Sequence, residues 1–297
     1  MSGPARRAKP GPKPAPKPAA ARGAGEVRII GGQWKRTRLP VVAAPMFLIS
    51  NPQLVLACCR NGVVGSFPAL NQRESSGFKA WLEEIEAGLA QLDNPAPYAV
   101  NLIVHNSNPR LEADLAICVE HKVPIVITIL GAREVVNQAV HGWGGGVQHD
   151  GITNVFAHRG IEKGADRLIP VAAGAGGHAS AKSPFAMVQE IREWFDGPVA
   201  LSGAIASGGA IRAAQAMGAD FAYIGSAFIA TDEARAVDGY KQMIVESDSD
   251  DIVYSNFYTG IHGNYLRGSI QNAGMDPDNL PQRDPSKMDF GTNTAGA

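Results

Sequence analysis

The stretch Leu168-Ile-Pro-Val-Ala-Ala-Gly-Ala-Gly-Gly-His178 passes from an apolar run into three glycines within four positions and ends on a histidine. A buried strand that ends in glycines lets a flat ligand approach the backbone, because no Cβ stands in the way. An imidazole just beyond it can exchange a proton near neutral pH. The alternative is an ordinary strand-to-helix turn with a solvated histidine, and the rest of the chain has to decide between the two.

Outward from this stretch, short apolar runs alternate with helical segments eight times. The predicted strands are residues 39–45, 62–67, 98–104, 124–130, 145–149, 168–173, 198–202 and 221–225. The predicted helices are residues 53–61, 77–92, 111–121, 133–141, 156–164, 184–195, 208–217 and 232–245. The strands are uniformly apolar, as expected when both faces are covered. Eight such units predict an α/β fold, a closed parallel (β/α)8 TIM barrel, in preference to an open doubly wound sheet.

Composition and charge limit the domain size, the partners and the cellular location that can be expected. The chain has 297 residues, of which 45% are hydrophobic, enough for one large barrel domain. The first 24 positions carry six basic residues and no acidic one, so the remainder of the chain is mildly acidic, which argues against a nucleic-acid partner. Cys58, Cys59 and Cys118 show no C-x-x-C spacing and suit reduced cysteines in the cytoplasm. No apolar run approaches the roughly 18 residues of a membrane span.

Three segments follow from these patterns. Residues 1–25 carry prolines at every second position from 10 to 18 and predict a disordered tail. Residues 26–245 form the predicted barrel. Residues 246–297 are polar and predict a C-terminal lid or extension with a frayed end.

Chemistry in such a barrel lies at the carboxyl ends of the strands. Asp150 is the only carboxylate predicted there, so hydrolysis by paired carboxylates has no support. His149, Asp150 and His178 have the spacing of no usual metal motif, and we predict no metal site.

Small residues and backbone amides dominate the predicted strand ends instead. Strand seven is followed by Ser202-Gly-Ala-Ile-Ala-Ser-Gly-Gly209 and strand eight by Gly225-Ser-Ala227. Barrels of this type hold a phosphate at these two loops with amides at a helix N-terminus. The residues that suit this role are Gly203, Gly208, Gly209, Gly225 and Ser226. The alternative is that these glycines only turn the chain.

A phosphate on one side and a glycine floor on the other suggest flavin mononucleotide (FMN). Ala44-Pro-Met46 follows strand one, and Asn101 ends strand three. The Asn101 amide can both donate and accept, which suits the pyrimidine edge of a flavin, although it could equally tie down its own loop.

The ordered series of motifs resembles the nitronate monooxygenase family, formerly called 2-nitropropane dioxygenase, over about residues 39 to 270. The motifs are Ala44-Pro-Met46, Asn101-Leu102, Ala175-Gly-Gly-His178, Ser202-Gly-Ala-Ile205 and Gly218-Ala-Asp-Phe-Ala-Tyr-Ile-Gly-Ser226. The resemblance implies an FMN enzyme that oxidises alkyl nitronates or nitroalkanes with O2 to carbonyl compounds and nitrite. It places the catalytic histidine at His178. It places the flavin contacts at Ala44, Met46, Asn101, Gly176, Gly177, Gly203, Ala204, Tyr223, Ile224, Gly225 and Ser226.

The chain departs from the family pattern at four places. Ser180 and Ala204 replace usual glycines, Gly225-Ser-Ala-Phe228 lacks the usual arginine, and Asp150 stands where some relatives have a lysine near the flavin. A charged aspartate there would oppose a flavin that accepts negative charge. These departures put the substrate in question more than the cofactor.

Other functions remain open at this stage. NAD(P)H:quinone reductases and enoyl-acyl-carrier-protein reductases share this barrel, and the motifs do not separate the three. A more remote alternative is a flavin-free barrel that binds a phosphate ligand. The expected partners are a small nitronate or nitroalkane and O2, without nucleic acid or membrane, and a homodimer is a candidate assembly.

Overall fold

The computed structural model describes residues 35–284. The predicted disordered tail at residues 1–25 lies outside this range, as do the first residues of the predicted barrel segment and the end of the predicted extension.

Eight short parallel strands form the centre of the molecule. They are β1 Val41–Ala43, β2 Gly65–Pro68, β3 Tyr98–Ile103, β4 Ile125–Ile129, β5 Gly146–Gly151, β6 Arg167–Pro170, β7 Ala200–Ser202 and β8 Phe221–Ile224. Neighbours pair in register from β2 to β6, and β8 pairs with both β7 and β1. Single parallel bridges, Val42 to Val64 and Leu168 to Val199, join β1 to β2 and β6 to β7. The ring is therefore closed, and the predicted barrel is confirmed.

A helix follows each of the first seven strands on the outside of the ring. These are α1 Pro52–Arg60, α2 Ser75–Leu89, α3 Leu111–Glu120, α4 Glu134–Gly142, α5 Asn154–Glu162, α6 Pro184–Arg192 and α7 Gly208–Ala216. Three of them begin at a polar cap that the sequence supplies. The Asn51 side chain accepts from the Leu54 N–H at 2.8 Å, and Thr153 and Ser207 cap α5 and α7 in the same way.

The prediction of one helix over residues 232–245 is wrong in its first half. The chain instead forms α8 Ser226–Ile229, a turn, and α9 Asp238–Glu246. The intervening turn packs back onto the loop after β1, where the Arg235 N–H donates to the Ile49 carbonyl at 3.0 Å. Ala234 is buried there against the outer cluster that contains Leu54 and Cys58. Tertiary packing therefore overrides the helical pattern of this segment.

The core has an inner and an outer layer. Side chains of alternate strand residues fill the barrel interior, among them Val42, Ala99, Ile127, Ile169 and Tyr223. The residues between them point outward and pack under the helices, as Val100 and Val147 do. This alternation decides which residues at the strand ends can face a ligand at the barrel mouth.

A C-terminal hairpin packs against the loop that follows β6. Strands β9 Ile252–Ser255 and β10 Gly263–Leu266 pair antiparallel, and the short helix α10 Arg267–Asn272 follows. Strand β10 also pairs with Gly177–His178. We call β9, β10 and their connection the C-terminal hairpin. The division between the barrel and the C-terminal extension at residue 245 stays a prediction. The hairpin and the loop after β6 share one small sheet.

None of the helices within residues 35–284 combines the length and the apolar character needed to cross a bilayer.

Candidate active site

The carboxyl ends of the strands expose backbone where glycines were predicted to admit a ligand. Gly174, Gly176 and Gly177 after β6 are exposed, as are Ala204 after β7 and Ser226 after β8. Gly177 has a positive φ of 67°, and a Cβ added there would meet no atom within 4 Å. The mouth therefore has an open floor of accessible main chain beside His178.

The loops after β6 and β7 are held in close contact. The Ala172 N–H donates to the Ser202 carbonyl at 2.9 Å, and the Ala204 N–H donates to the Gly174 carbonyl at 3.0 Å. Between them, a Cβ at Gly203 would lie 2.6 Å from the Ala173 oxygen, and the Gly203 φ is 134°. Only glycine fits this position without moving one of the two loops.

The loops after β1, β6 and β8 also meet. A Cβ added at Gly225 would contact the Met46 sulfur at 3.7 Å and the Ala44 Cβ at 3.8 Å. A Cβ added at Gly176 would lie 3.1 Å from the Ser226 Oγ. The structure therefore brings together predicted contacts from three separate motifs.

The loops after β7 and β8 carry amide donors for an anion. Ser207 caps α7, and among the described residues no partner is found for the N–H groups of Gly208 and Gly209 in its first turn. The same holds for Ser226 and Ala227 at the start of α8. We call residues 203–209 and 225–227 the amide side of the mouth. Its composition suits a phosphate, as the sequence predicted.

Residues 174–178 and the C-terminal hairpin form the part of the mouth next to the amide side, and we call this part the histidine side. The His178 Nε2 lies 2.8 Å from the Thr259 Oγ1. The Asn264 side chain donates to the Ala175 carbonyl at 2.7 Å, and the Tyr254 hydroxyl donates to the Ala179 carbonyl at 3.1 Å. The hairpin is thus attached on both sides of His178.

The His178 imidazole is half-buried, and burial lowers its pKa below the ordinary value for histidine. The ring is therefore mostly neutral at neutral pH, which is the form that can accept a proton.

With the geometry of the mouth established, comparison with known proteins assigns the family. The sequence profile of the family described as NMO, nitronate monooxygenase, matches residues 84–275, which is more than half of the chain. The chain belongs to the nitronate monooxygenase family. This confirms the resemblance that the motifs predicted. Rv1533 of Mycobacterium tuberculosis, a protein named provisionally as a monooxygenase, is 31% identical over 127 residues. That match covers 42% of this chain and 34% of Rv1533, so it spans about a third of the relative's length.

Solved structures share the fold of this nitronate monooxygenase family member. Nitroalkane oxidase from Streptomyces ansochromogenes superposes with a TM-score of 0.69 at 24% identity and covers 78% of each chain. FabK from Thermotoga maritima gives a TM-score of 0.71 at 22% identity, over 84% of this chain and 85% of FabK. The enoyl reductase domain of MlnA from the macrolactin cluster of Bacillus amyloliquefaciens gives 0.63 at 16% identity, over 82% and 67%. Identities this low establish a common fold alone.

Asp150, the departure from the family lysine, faces the barrel interior. Along β5, Val147 packs outward under the helices, so Gln148 and Asp150 point inward. Burial raises the pKa of Asp150 to about 7, so a large share of the carboxyl is uncharged at neutral pH. Burial, and after it the nearby Asp150, raise the pKa of Tyr223 well above its ordinary value, which places these two groups near each other. A neutral carboxyl removes most of the conflict with a flavin that accepts negative charge.

His149 is excluded from the site because it points outward. Its Nδ1 lies 3.0 Å from the Thr128 Oγ1, and a Cβ at Gly160 of α5 would fall 2.3 Å from its ring. Burial lowers the pKa of His149 to about 4, so it is a neutral packing residue.

Two of the predicted flavin contacts, Asn101 and Ile224, have side chains that also hold the barrel wall together. Asn101 is buried, and its amide nitrogen donates to the Ile127 carbonyl at 3.2 Å, so part of the side chain ties β3 to β4. No described residue donates to its carbonyl oxygen. The Ile224 side chain packs in the outer cluster with Val41 and Ala43, away from the interior. A role for Ile224 at the cofactor is therefore limited to its main chain.

Three non-glycine residues with positive φ lie at strand ends of the mouth, namely Leu48, Leu130 and Ala204. Their φ angles are 62°, 58° and 52°. Each conformation costs on the order of 1–2 kcal/mol, and such strain is concentrated at functional sites. The sequence carried no signal for Leu48 and Leu130, whereas Ala204 replaces a glycine that the family pattern led us to expect.

The remaining histidines lie at the surface or pack against neighbouring side chains. His105 is half-buried, His141 contacts Asp166, and His158 stacks on Trp194. His121 is largely buried and pairs with Glu86 at 3.0 Å. Arg267 lies at the surface and pairs with Asp278, as expected for a residue outside the pocket.

Two distinct depressions of the described surface lie away from the predicted residues. One of about 400 Å³ lies at the amino end of the barrel and is lined by Glu86, Tyr98 and Pro124 among others. The other, about 350 Å³, lies beside Tyr258 and Arg283. The exposed amides and the half-buried His178 define the candidate site at the mouth.

Proposed function

We propose that this protein is an FMN-dependent nitronate monooxygenase that oxidises alkyl nitronates or nitroalkanes with O2 to carbonyl compounds and nitrite. The observation that carries the proposal is the position of His178. A half-buried imidazole that burial keeps neutral stands at the edge of an exposed glycine floor, next to loops that offer free amides.

The residues of the mouth fit FMN. A Cβ added at Gly177 or at Gly208 would meet no atom within 4 Å, so both positions leave open space for a ligand. The amide side would hold the phosphate through the N–H groups of residues 208–209 and 226–227. Ala44, Met46 and Asn101 would border the ring system, and the uncharged form of Asp150 would not repel it. FMN, when bound, supplies the redox chemistry with O2.

His178 would act on the carbon next to the nitro group. A neutral nitroalkane must lose an α-proton before it becomes a nitronate, and a neutral imidazole can accept that proton. For a substrate that is already a nitronate, His178 would hold the anion instead. The hairpin above it, with Tyr258 and Tyr265 rings 4.6 Å apart, would limit the access of water.

The alternative function is an FMN-dependent NAD(P)H:quinone or enoyl-acyl-carrier-protein reductase. The fold shared with FabK and with the enoyl reductase domain of MlnA favours keeping it. A flavin-free barrel that binds a phosphate ligand is a more remote candidate. The proposal also includes a cytoplasmic location, which the three buried, unpaired cysteines favour.

One visible spectrum and one assay test the proposal. The purified protein should be yellow, consume O2 with an alkyl nitronate, release nitrite, and need no NADH. Rapid NADH oxidation coupled to a quinone or an enoyl thioester, without nitrite, would replace the proposal with the reductase. A protein that stays colourless after incubation with FMN would reject both flavin functions.

A further inference from the structure

Two polar side chains share the interior of the barrel near its mouth, at the carboxyl ends of β5 and β8. Asp150 stands beside Ile169 in the register of β5 and β6, and Ile169 packs in the interior cluster together with Tyr223. Burial, and after it the nearby Asp150 carboxyl, raise the pKa of Tyr223. The carboxyl and the phenol hydroxyl therefore face the same part of the interior.

Neither group is satisfied by the protein within residues 35–284. The Asp150 carboxyl has no hydrogen bond or ion pair there, and the Tyr223 hydroxyl has no hydrogen bond. Gln148, one inward position earlier on β5, is buried, whereas Asp150 is half-buried at the end that opens to the mouth. Because polar groups inside proteins are normally hydrogen-bonded, this pair is placed to receive a ligand from the mouth.

The surroundings of Asp150 favour its protonated form. Burial raises the pKa of Asp150 to about 7 and is the only cause of this shift. The ionisable groups on the elements around it are Tyr223 from β8, Arg167 from β6 and His178 from the loop after β6. Arg167 lies toward the amino end of the barrel, where a Cβ added at Gly146 would meet its guanidinium, and burial keeps His178 mostly neutral. Within the described part of the chain, no cation therefore offsets the carboxylate.

A protonated carboxyl and a phenol are both hydrogen-bond donors, so a ligand that satisfies Asp150 and Tyr223 must carry acceptors. The ring system of oxidised FMN has carbonyl oxygens and unprotonated ring nitrogens along its edge. An uncharged ring that covers Asp150 would favour the protonated carboxyl still more, whereas a cationic ligand would favour the carboxylate. Burial of this carboxyl without a cation beside it favours the ring.

We propose that Asp150 is a cofactor-binding residue, whose protonated carboxyl donates a hydrogen bond to the ring system of FMN next to the Tyr223 hydroxyl. This inference rests on the flavin part of the proposed function. It adds a contact that the motifs did not include, and it makes FMN binding depend on one proton, which can be measured without any substrate.

The test measures the dissociation constant of FMN by quenching of flavin fluorescence at about pH 6 and about pH 8.5. For the parent this constant should rise about tenfold, because the protonated form that binds is lost as the pH rises through 7, and one pKa unit corresponds to tenfold. Asp150→Asn keeps an N–H donor at all pH values, so its constant should rise by less than about threefold. The FMN phosphate and His178 are the same in both proteins and cancel in the comparison.

A second variant removes the donor altogether. Asp150→Ala should bind FMN about tenfold more weakly than the parent at the lower pH, with a rise of less than about threefold at the higher pH. Asp232→Asn, at an exposed position, is the matched control and should keep the pH dependence of the parent. Far-UV circular dichroism establishes that each variant folds, and if neither Asp150 variant folds, the parent alone decides. A constant that is unchanged in the parent would then overturn the inference.

Two further results would overturn it. One is an equal rise of the dissociation constant in the parent and in Asp150→Asn. The other is a parent that binds FMN more tightly at the higher pH, which would assign the carboxylate to a cationic group. A parent that does not bind FMN at either pH would reject both the inference and the flavin functions. If FMN binding depends on Asp150 as expected but no nitrite is released, the inference stands and the proposed monooxygenase activity fails.

Discussion

The two sides of the barrel mouth are built in different ways. The amide side consists of local turns, in which residues close in sequence supply the cap, the glycines and the free N–H groups. The histidine side depends on a hydrogen bond between His178 and Thr259, which are 81 positions apart. A binding surface of main-chain donors can therefore be read from short motifs, whereas an oriented side chain needs support from a distant part of the chain.

The largest expected effect is on turnover and comes from a substitution that changes the histidine side alone. His178→Asn should retain FMN yet lower turnover of a neutral nitroalkane by about 10² to 10⁴, since it removes a positioned base but leaves the amides intact. Oxygen consumption and the visible spectrum measure the two properties. The matched control is His141→Asn, an exposed histidine on α4 that should behave as the parent. Turnover within twofold of the parent would remove His178 from the mechanism.

The pH dependence of stability tests whether the Asp150 carboxyl is buried in the barrel interior. Because burial raises its pKa from 3.8 to about 7, its contribution to stability is fully present below pH 4 and is lost as the pH rises toward 7. The total change should be a few kcal/mol. Asp150→Asn should therefore flatten the fall in melting temperature between pH 4.5 and 7.5. The exposed Asp232→Asn is the control, and an identical pH slope in Asp150→Asn would contradict the assignment.

Gly225→Val addresses the amide side alone. The branched side chain would enter the space next to Met46 and Ala44, so FMN should bind about tenfold more weakly, the equivalent of one lost hydrogen bond. Equilibrium dialysis with FMN measures this. Gly239→Val is the control, because a Cβ there would meet nothing within 4 Å. Equal flavin affinity in the Gly225 variant and the parent would place the phosphate elsewhere.

The smallest expected effect concerns strain on the amide side. Ala204 has a φ of 52°, so Ala204→Gly should stabilise the protein by about 0.5 kcal/mol, after the greater freedom of glycine in the unfolded chain is allowed for. The neighbouring Ala206 does not have a positive φ, and Ala206→Gly should instead destabilise by about 0.5 kcal/mol. Urea denaturation compares the two, and a shift of the same sign in both would argue against strain at Ala204.

Much of the architecture was predictable because it follows from local patterns. Uniform apolar runs identified the eight strands, and the helix starts predicted at residues 53, 111, 184 and 208 lie within one residue of the observed starts. The segment before α9 was predicted wrongly, since Ala234 is buried by packing against α1 and no local pattern reports such a contact. The amide side was predictable for the same reason as the strands, because glycine and serine act through their own backbone.

The sequence by itself determined the ring of strands, the family and the positions of the glycines, because hydrophobic runs and the missing Cβ act on neighbouring residues. Only the tertiary structure decided the direction of individual side chains. It turned His149 outward and Asp150 inward, raised the pKa of that carboxyl by burial, and brought Thr259 to His178. These properties depend on which distant segments surround a group, and the electrostatic cost of burying a charge exists only once those segments have packed.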